Sequence, residues 1–450
     1  MKKTLGAVAA AAAIAISLSA CGGGGSTPTT AGEAKGEINY WLWDSNQLPA
    51  YKECAANFTK ANPDIKVKIT QRGWGDYWTT LTNGFVAGNA PDVFANHLSK
   101  YPEHAAKKQL LDLNEAVEKD GIKLDIYNEG LADLWVGQDG KRNGLPKDWD
   151  TVGLFYNTAM TDAAGITAEQ MASLDWNPQD GGSYEKTIAH LSVDKKGVRG
   201  DEPGFDKSNV AVYGLGLENS GTGQGQTQWS FLTGTTGWTH TDKNPWGTKF
   251  NYDDSKFQDT IKWWAGLANK GYMPKLETTV GASVADNFGA GKAAINSNGS
   301  WMIGQYSSYK GIKAGIAPTP VGPEGKRASM FNGLADSVWA GTKNPAASVK
   351  WVEYLASADC QDVVASKGVV FPAIKSSSEK AAAAFEAKGI DVSAFTTHVT
   401  DGTTILFPIT DNSAKVDGLM GPAMDAVMSG KKDAGTLSEA NEKVNALFKK

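Results

Sequence analysis

Tryptophan is the residue type whose placement in this chain most clearly suggests chemistry. The chain has 15 tryptophans in 450 residues, and several stand beside polar or small residues, as in Gly73-Trp74-Gly75-Asp76. Such positions are typical of loops and element ends, where binding residues gather. A flat indole can stack on the apolar face of a ligand while neighbouring amides and carboxylates form hydrogen bonds. The pattern therefore indicates non-covalent ligand recognition, although any single tryptophan could equally fill a gap at the surface.

Acidic residues and histidines give weaker signs of catalysis or metal binding. Asp44, Asp148 and Asp150 could supply the two carboxylates that a glycoside hydrolase needs, but carboxylates also accept hydrogen bonds from hydroxyl groups. The five histidines are scattered, and none has the i, i+4 spacing of a zinc-binding helix. We therefore predict no catalytic residue, no metal ion and no cofactor.

The N-terminus carries the pattern of an exported, lipid-modified protein. Lys2 and Lys3 precede an apolar run over residues 5–18, which has the length of a signal-peptide core. The run leads into Leu18-Ser19-Ala20-Cys21, which resembles a bacterial lipobox. The pattern predicts a signal peptide over residues 1–20, acyl chains on Cys21, and a flexible tether over residues 21–36. We therefore expect a lipid anchor at the outer face of the cytoplasmic membrane, on the extracellular or periplasmic side.

The two remaining cysteines are a candidate disulfide. With Cys21 lipidated, Cys54 and Cys360 form an even pair in an oxidising compartment. Both fall on predicted helices. Whether they are bridged stays open here, because a disulfide requires a particular separation of the two Cα atoms.

Composition limits the partners of the chain. The formal net charge is -5 and charged residues make up 21% of the sequence. There is no basic stripe interleaved with aromatic residues, which is the signature of nucleic-acid binding. We expect no nucleic-acid partner, and no second membrane anchor, because no other stretch has the length of an apolar membrane span.

The elements that must position these residues alternate between strands and helices. Alternating apolar residues predict strands at 37–43 and 65–69, and apolar residues at helical spacing predict helices at 51–61 and 78–85. A short apolar segment at 92–95 predicts a third strand. This order is typical of an α/β layered domain.

Further motifs occur in the order of a known family. They are Asn62-Pro63-Asp64-Ile65-Lys66-Val67 after a helix, Leu145-Pro146 followed by Gly153-Leu154-Phe155-Tyr156-Asn157, and Gly289-Ala290-Gly291-Lys292-Ala293-Ala294-Ile295 with Gly299-Ser300-Trp301. Together with the lipobox, these motifs resemble those of the extracellular solute-binding proteins of carbohydrate ABC importers, the family of maltose-binding protein. The resemblance implies an α/β, two-lobed periplasmic-binding-protein-like fold of type II, with crossing hinge segments and an interlobe cleft.

The resemblance also implies a function and a set of partners. The expected function is that of a monomeric, non-enzymatic receptor. It would capture a neutral saccharide, an oligosaccharide in view of the many aromatic residues, and deliver it to ABC permease subunits with an ATPase behind them.

By the same analogy the chain crosses between two lobes at three places, near residues 147–153, 317–322 and 370–373. The expected N-lobe comprises residues 37–149 and 320–370. The expected C-lobe comprises residues 150–319 and 371–450. On this division Cys54 and Cys360 share the N-lobe.

Aromatic and polar residues stand where this family places its ligand contacts. A saccharide has an apolar face that stacks on aromatic rings and a rim of hydroxyls that requires hydrogen-bond partners. The expected ligand-binding residues are Trp43, Asp44, Asn46, Trp74, Tyr77, Asn96, His97, Asp148, Trp149, Asp150, Gln226, Trp229, Trp238, Asn298, Trp301, Asn332 and Asp336.

Two alternatives to this interpretation stay open. The segment 331–339 departs from the glycine-rich aromatic pattern of the family, so the substrate class is open and Asp336 could hold a hinge instead. One alternative ligand is an anion such as a glycerol phosphate ester, for which only Arg72 and Arg142 are near predicted cleft segments. The other alternative is a secreted glycoside hydrolase.

Overall fold

The computed structural model describes residues 32–281 and 283–449. Cys21, the predicted signal peptide and residues 21–31 of the predicted tether lie outside the described residues. The described part of the chain forms two α/β lobes, each built around its own sheet. None of the described helices is both long enough and apolar enough to cross a membrane.

The strands within the described residues are β1 (Gly36–Leu42), β2 (Ile65–Gln71), β3 (Val93–Asn96), β4 (Leu145–Asp150), β5 (Val152–Asn157), β6 (Val193–Asp194), β7 (Val210–Leu215), β8 (Ala293–Gly299), β9 (Ala314–Ala317), β10 (Ser329–Val338), β11 (Phe371–Pro372) and β12 (Thr404–Leu406).

The α-helices over the same ranges are α1 (Leu48–Ala61), α2 (Trp74–Ala87), α3 (Tyr101–Ala106), α4 (Asn114–Lys119), α5 (Thr158–Ala163), α6 (Ala168–Ala172), α7 (Gly182–Leu191), α8 (Ser230–Gly234), α9 (Ser255–Lys270), α10 (Val284–Gly289), α11 (Ile303–Ser308), α12 (Pro345–Leu355), α13 (Ala358–Lys367), α14 (Lys375–Glu386), α15 (Ser393–Thr400), α16 (Ser413–Met428) and α17 (Leu437–Ala446).

The N-lobe is built on a mixed sheet with the strand order β11-β4-β10-β3-β1-β2, and β12 pairs with one end of β10. Strand β1 runs parallel to β2 and β3, because α1 and α2 return the chain between successive strands. The carboxyl ends of β1 and β3 therefore lie at the same edge of the sheet. The strands and helices predicted over residues 37–95 are confirmed, although α2 begins four residues before the predicted position, at Trp74.

The C-lobe is built on a second sheet with the strand order β6-β7-β8-β5-β9. Strand β5 lies between β8 and β9, antiparallel to both, and every residue of β5 is buried. Helix α9 packs its apolar face into this core through Phe257, Ile261 and Trp264.

The chain crosses between the lobes after β4, and two predicted lobe boundaries need correction. Residues 320–328 lie with the C-lobe, because the backbone N–H of Trp176 donates to Val321 O at 2.8 Å. Helix α14, predicted in the C-lobe, packs on the N-lobe, where Phe385 lies against Phe371 of β11. Prolines near both boundaries mark turns, but which core buries the next apolar side chain is decided by long-range packing.

A disulfide links α1 to α13 in the N-lobe core. Cys54 and Cys360 are bonded, with their Cα atoms 5.2 Å apart, and both side chains are fully buried. The hypothesis of a bridge between these cysteines is therefore confirmed.

Candidate ligand-binding cleft

A cleft of about 630 Å³ lies between the two lobes. Its N-lobe side follows the carboxyl ends of β1 and β3, and its floor comes from β4 and β10. Its C-lobe side includes the loop over residues 218–228, Trp301 after β8, and Asp417 of α16. The volume falls within the range of pockets that enclose small organic ligands.

Aromatic rings form the N-lobe wall of the cleft. Trp43 follows β1, and Trp74 begins α2, so both rings lie at the same sheet edge. Their ring centroids are 5.1 Å apart in an edge-to-face arrangement, and Trp78 packs 5.4 Å from Trp43 behind them. The Trp74 side chain is 47% exposed. An indole of this size left in contact with water at a cleft wall is available to stack on a ligand.

The cleft floor is organised around Asp150 at the end of β4. Asp150 Oδ2 accepts a hydrogen bond from Asn332 Nδ2 of β10 at 3.0 Å, and Asp150 Oδ1 accepts one from Gln226 Nε2 of the C-lobe at 2.9 Å. Burial raises the pKa of Asp150 well above its usual value, and the two amide donors oppose this shift. Gln226 thus joins the C-lobe loop to the floor of the N-lobe.

A buried lysine lies beneath Asp148. Lys147 Nζ donates to Gln47 Oε1 and Tyr51 Oη, both at 2.5 Å, and to Asp148 Oδ2 at 3.1 Å. Burial would lower the pKa of Lys147, but Asp148 and Tyr51 raise it above its usual value. The ammonium is therefore charged and neutralises Asp148 from behind the cleft surface.

His97 completes the floor as a neutral side chain. It follows β3, and its Nε2 lies 3.1 Å from Asn332 Nδ2. Burial, together with the positive charge of the nearby Lys100, lowers the pKa of His97 to about 3. His97 therefore contributes no positive charge to the cleft at neutral pH.

The C-lobe side carries two carboxylates that the sequence analysis did not select. Asp417 Oδ1 accepts a hydrogen bond from Thr222 Oγ1 at 3.0 Å, and burial raises the pKa of Asp417, which Lys100 opposes. Burial also raises the pKa of Glu218. The glycine-rich, polar sequence of residues 221–226 is a local signal for a loop in this wall. Nothing local marks Asp417, which reaches the cleft from α16.

A family comparison agrees with the geometry of this cleft. The sequence model described as "Bacterial extracellular solute-binding protein" matches residues 53–390, which is well over half of the chain. The chain belongs to this family of bacterial extracellular solute-binding proteins. The recognition made from the sequence motifs is thereby confirmed.

Individual relatives of this solute-binding protein are distant. A lactose-binding protein of Rhizobium radiobacter is 28% identical over 148 residues, which are 32% of this chain and 34% of that protein. The maltodextrin-binding protein MdxE of Bacillus subtilis is 26% identical over 302 residues, which are 67% of this chain and 64% of that protein. Both alignments span less than two thirds of the relative's length.

Solved structures show the same fold. An ABC substrate-binding protein from Listeria monocytogenes in complex with cycloalternan has a TM-score of 0.78 at 19% identity, over 92% of this chain and 99% of that one. UspC of M. tuberculosis has a TM-score of 0.69 at 24% identity, over 91% and 99%. The fold class expected from the sequence is therefore confirmed.

The structure brings most of the expected contact residues of this solute-binding protein to one cleft. The expected residues that line it are Trp43, Asp44, Asn46, Trp74, His97, Asp148, Trp149, Asp150, Gln226, Trp301 and Asn332. Trp149 contributes only an edge, because its ring stacks on Phe371 at 4.7 Å and its Nε1 donates to Ser378 Oγ at 2.9 Å.

Three expected contacts in the N-lobe lie beneath the cleft instead of on it. Tyr77 is fully buried and donates from Oη to Ala95 O at 2.7 Å. Asn96 is fully buried and donates from Nδ2 to Ser337 Oγ at 3.1 Å. Asp336 accepts from Tyr40 Oη at 2.8 Å. All three side chains are buried and hydrogen-bonded within the N-lobe, and none of them lines the cleft.

Three expected contacts in the C-lobe are also structural. Trp229 and Trp238 lie in the C-lobe core, where their Nε1 atoms donate to Ser220 O at 3.1 Å and Asn251 O at 2.8 Å. Asn298 uses its own amide oxygen to accept the backbone N–H of Gly299 at 2.9 Å. Internal carbonyls satisfy both indoles, so their polar neighbours in the sequence gave a misleading signal.

Proposed function

We propose that this solute-binding protein is the extracellular substrate-binding component of an ABC importer, which captures a saccharide between its lobes and delivers it to the membrane permease. The observation that carries the proposal is the half-exposed Trp74 ring facing the same cleft as the hydrogen-bonding floor of Asp150 and Asn332. An aromatic surface beside fixed polar groups matches the apolar face and hydroxyl rim of a sugar ring.

The ligand is proposed to be a short oligosaccharide. Aromatic rings line the cleft on both sides, with Trp43 and Trp74 on the N-lobe and Trp301 on the C-lobe. Each stacked sugar ring requires its own platform, so two separated platforms favour more than one ring. The curated relatives that are named for lactose and maltodextrin binding support a saccharide of this class.

The charges around the cleft argue against the anionic alternative. Arg72 lies over the Trp41 ring at 4.5 Å, and the Arg142 side chain donates from a terminal nitrogen to Ala132 O at 2.6 Å. Neither arginine lines the cleft, and Lys100 is the lining cation among the described residues. Phosphate esters are typically bound by a cluster of arginine and lysine side chains, and the described cleft lining offers only Lys100.

The proposal further holds that the saccharide is bound and released unchanged. It includes a lipid anchor on Cys21, which raises the effective concentration of the receptor near its permease, and a monomeric state. Incubation with oligosaccharides followed by chromatography should return only the starting material. Release of a shorter product would contradict the receptor function and support the hydrolase alternative.

Binding is tested by thermal unfolding with a panel of gluco-, galacto-, manno- and xylo-oligosaccharides. A ligand that binds the folded protein raises the unfolding temperature by mass action. We expect Trp74→Ala to weaken binding of the best saccharide about tenfold or more, because one stacking surface is removed.

Val86→Ala is the matched control for this variant. Val86 lies on the same helix α2, is 86% exposed, and is remote from the cleft lining. It should leave the affinity unchanged. If no saccharide in the panel shifts the unfolding temperature, the proposed function is wrong. If Trp74→Ala binds the saccharide like the wild type, Trp74 is not a stacking platform.

A further inference from the structure

Acidic side chains outnumber basic ones among the described residues that line the cleft. Among the described lining residues, Lys100 is the single lysine and there is no arginine. His97 is neutral. The lining carboxylates are Asp44, Asp148, Asp150, Glu218 and Asp417. After Lys147 has neutralised Asp148, four carboxylates face a single ammonium.

Three side-chain amide donors already bond to these carboxylates. Gln47 Nε2 donates to Asp44 Oδ2 at 3.0 Å, Gln226 Nε2 donates to Asp150 Oδ1, and Asn332 Nδ2 donates to Asp150 Oδ2. Because each carboxylate oxygen has two lone pairs, Asp150 retains capacity to accept further hydrogen bonds. The amides thus fix the floor and leave its acceptors for the ligand.

A second observation points to a donor on the ligand. Asn332 lines the cleft and is only 2% exposed, yet its Oδ1 atom has no hydrogen-bond partner among the described residues. A buried acceptor without a partner costs free energy, and the cleft is where a bound group could satisfy it. Glu218 likewise has no side-chain hydrogen bond to another described residue.

A bound metal ion is a poor explanation for this surplus of acceptors. No group of three or more histidine, cysteine or acidic side chains within the described ranges is arranged to hold a metal ion. The carboxylates are instead distributed around the cleft, on β4, on the segment after β1, and on the C-lobe wall. A negative field distributed in this way suits an organic cation.

We propose, on the basis of the proposed function, that the captured saccharide carries a protonated amino group, which donates to Asp150 and Asn332 Oδ1 at the cleft floor. An ammonium has three donors and no acceptor, which matches a floor whose open atoms are acceptors. Closure of the lobes removes water from the carboxylates, and this is costly unless an opposite charge is enclosed with them. Asp44, Glu218 and Asp417 supply the surrounding negative field.

The test uses matched sugars in isothermal titration calorimetry with the complete mature protein. The probes are glucosamine, galactosamine, mannosamine and the β-1,4-linked glucosamine disaccharide, each with its N-acetylated form and its hydroxyl counterpart (cellobiose for the disaccharide). At least one amino sugar should bind about tenfold tighter than both of its counterparts. The preference should fall with added salt, and should disappear as the pH is raised past the pKa of the sugar amine.

Two variants locate the effect. Asp150→Asn should abolish the preference for the amino sugar while the protein remains folded by circular dichroism. Since a buried substitution could unfold the protein, Glu218→Gln on the C-lobe wall is the second variant and should reduce the preference. Glu277→Gln, an exposed carboxylate outside the cleft lining, should change neither affinity.

The outcomes separate this inference from the proposed function. If neutral oligosaccharides bind and no amino sugar binds more tightly than its hydroxyl form, the inference is wrong and the proposed function stands. The inference is also wrong if the amino sugar preference survives in both cleft variants. If neither the amino sugars nor the oligosaccharide panel bind, both are wrong.

Discussion

Two groups of buried polar side chains lie at and beneath the cleft floor in the N-lobe. Asp148 at the cleft surface is paired with Lys147, and Tyr40 donates to Asp336 deeper in the sheet at 2.8 Å. Asp336 Oδ2 has no partner among the described residues. Burial raises the pKa of Asp336 from its usual 3.8 to about 6, and Lys147 and Tyr40 oppose the shift. Asp336 does not line the cleft, so we expect its protonation to affect the stability of the N-lobe core beneath the cleft floor.

Asp336 makes the stability of the protein depend on pH. Since its folded pKa is raised, its contribution to the unfolding free energy is fully present below pH 3.8 and is lost as the pH rises through about 6. The full change for a shift of this size is about 3 kcal/mol. In Asp336→Asn, which does not titrate, the decline in unfolding free energy between pH 4 and pH 7 should be smaller.

Guanidinium unfolding of both proteins at several pH values measures this difference. Parallel curves for the wild type and Asp336→Asn would show that the Asp336 carboxyl titrates normally in the folded state.

At the scale of single elements, the loop over residues 218–228 depends on a buried tryptophan. Trp229 does not line the cleft, but its Nε1 holds Ser220 O at 3.1 Å, and Gly225 O accepts the backbone N–H of Trp229 at 3.2 Å. Gly225 has φ +56°, and a Cβ atom there would lie against the Trp229 ring. The loop that presents Gln226 to Asp150 is thus fixed by packing behind it.

Gly225→Ala should damage both stability and binding. Its left-handed backbone alone costs about 1 kcal/mol for alanine, and the clash with Trp229 adds to this, so we expect a loss of more than 2 kcal/mol in unfolding free energy. Displacement of Gln226 should also weaken ligand binding. Denaturant unfolding and calorimetry measure the two effects.

Gly402→Ala is the matched control for the backbone cost. Gly402 has φ +63°, and no atom lies within 4 Å of the position of its Cβ. Gly402→Ala should lower the unfolding free energy only by the cost of the left-handed conformation, and this variant should bind ligand normally. Equal losses of unfolding free energy in Gly225→Ala and Gly402→Ala would mean that the Trp229 contact does not hold the loop.

At the scale of the whole molecule, a C-lobe loop reaches across to the N-lobe. The backbone N–H of Trp246 donates to Ile409 O at 2.7 Å, and Asn244 Nδ2 donates to Leu406 O at 2.9 Å. The Trp246 ring lies 5.9 Å from the ring of Tyr101 in the N-lobe. We expect the contacts of this loop to restrain the lobe rotation that the proposed ligand capture requires.

Removal of the Trp246 ring should loosen this restraint. Spin labels at Val86→Cys on α2 and Lys262→Cys on α9 report the distance between lobes, in a protein with Cys21→Ala and the native disulfide intact. In Trp246→Ala the distance distribution without ligand should broaden, while ligand should still shorten the mean distance, because it bridges both lobes.

A control pair of spin labels within the C-lobe, at Lys262→Cys and Lys292→Cys, should show the same distance distribution with and without ligand and with and without Trp246→Ala. An unchanged interlobe distribution in Trp246→Ala would mean that the loop does not restrain the lobes.

Much of the fold was predictable because its signals are local. Alternating and helical apolar spacing over residues 37–95 gives the first strands and helices of the N-lobe. Trp43, His97 and Asp150 were expected at the site because the family that the sequence resembles places its ligand contacts in these segments, and all three line the cleft. The lobe boundaries were less accurate, since a turn signal does not say which core buries the segment after it.

The sequence by itself determined the order and type of the elements, the family, and the segments from which the cleft is built. Only the tertiary structure decided that Trp74 faces the cleft while Tyr77, three residues later on α2, is buried beneath the sheet. It also decided that Cys54 meets Cys360, and that Gln226 meets Asp150. The physical reason is range: periodicity and turn chemistry act between near neighbours in the chain, whereas burial and the balance of charge depend on side chains that packing brings together from distant segments.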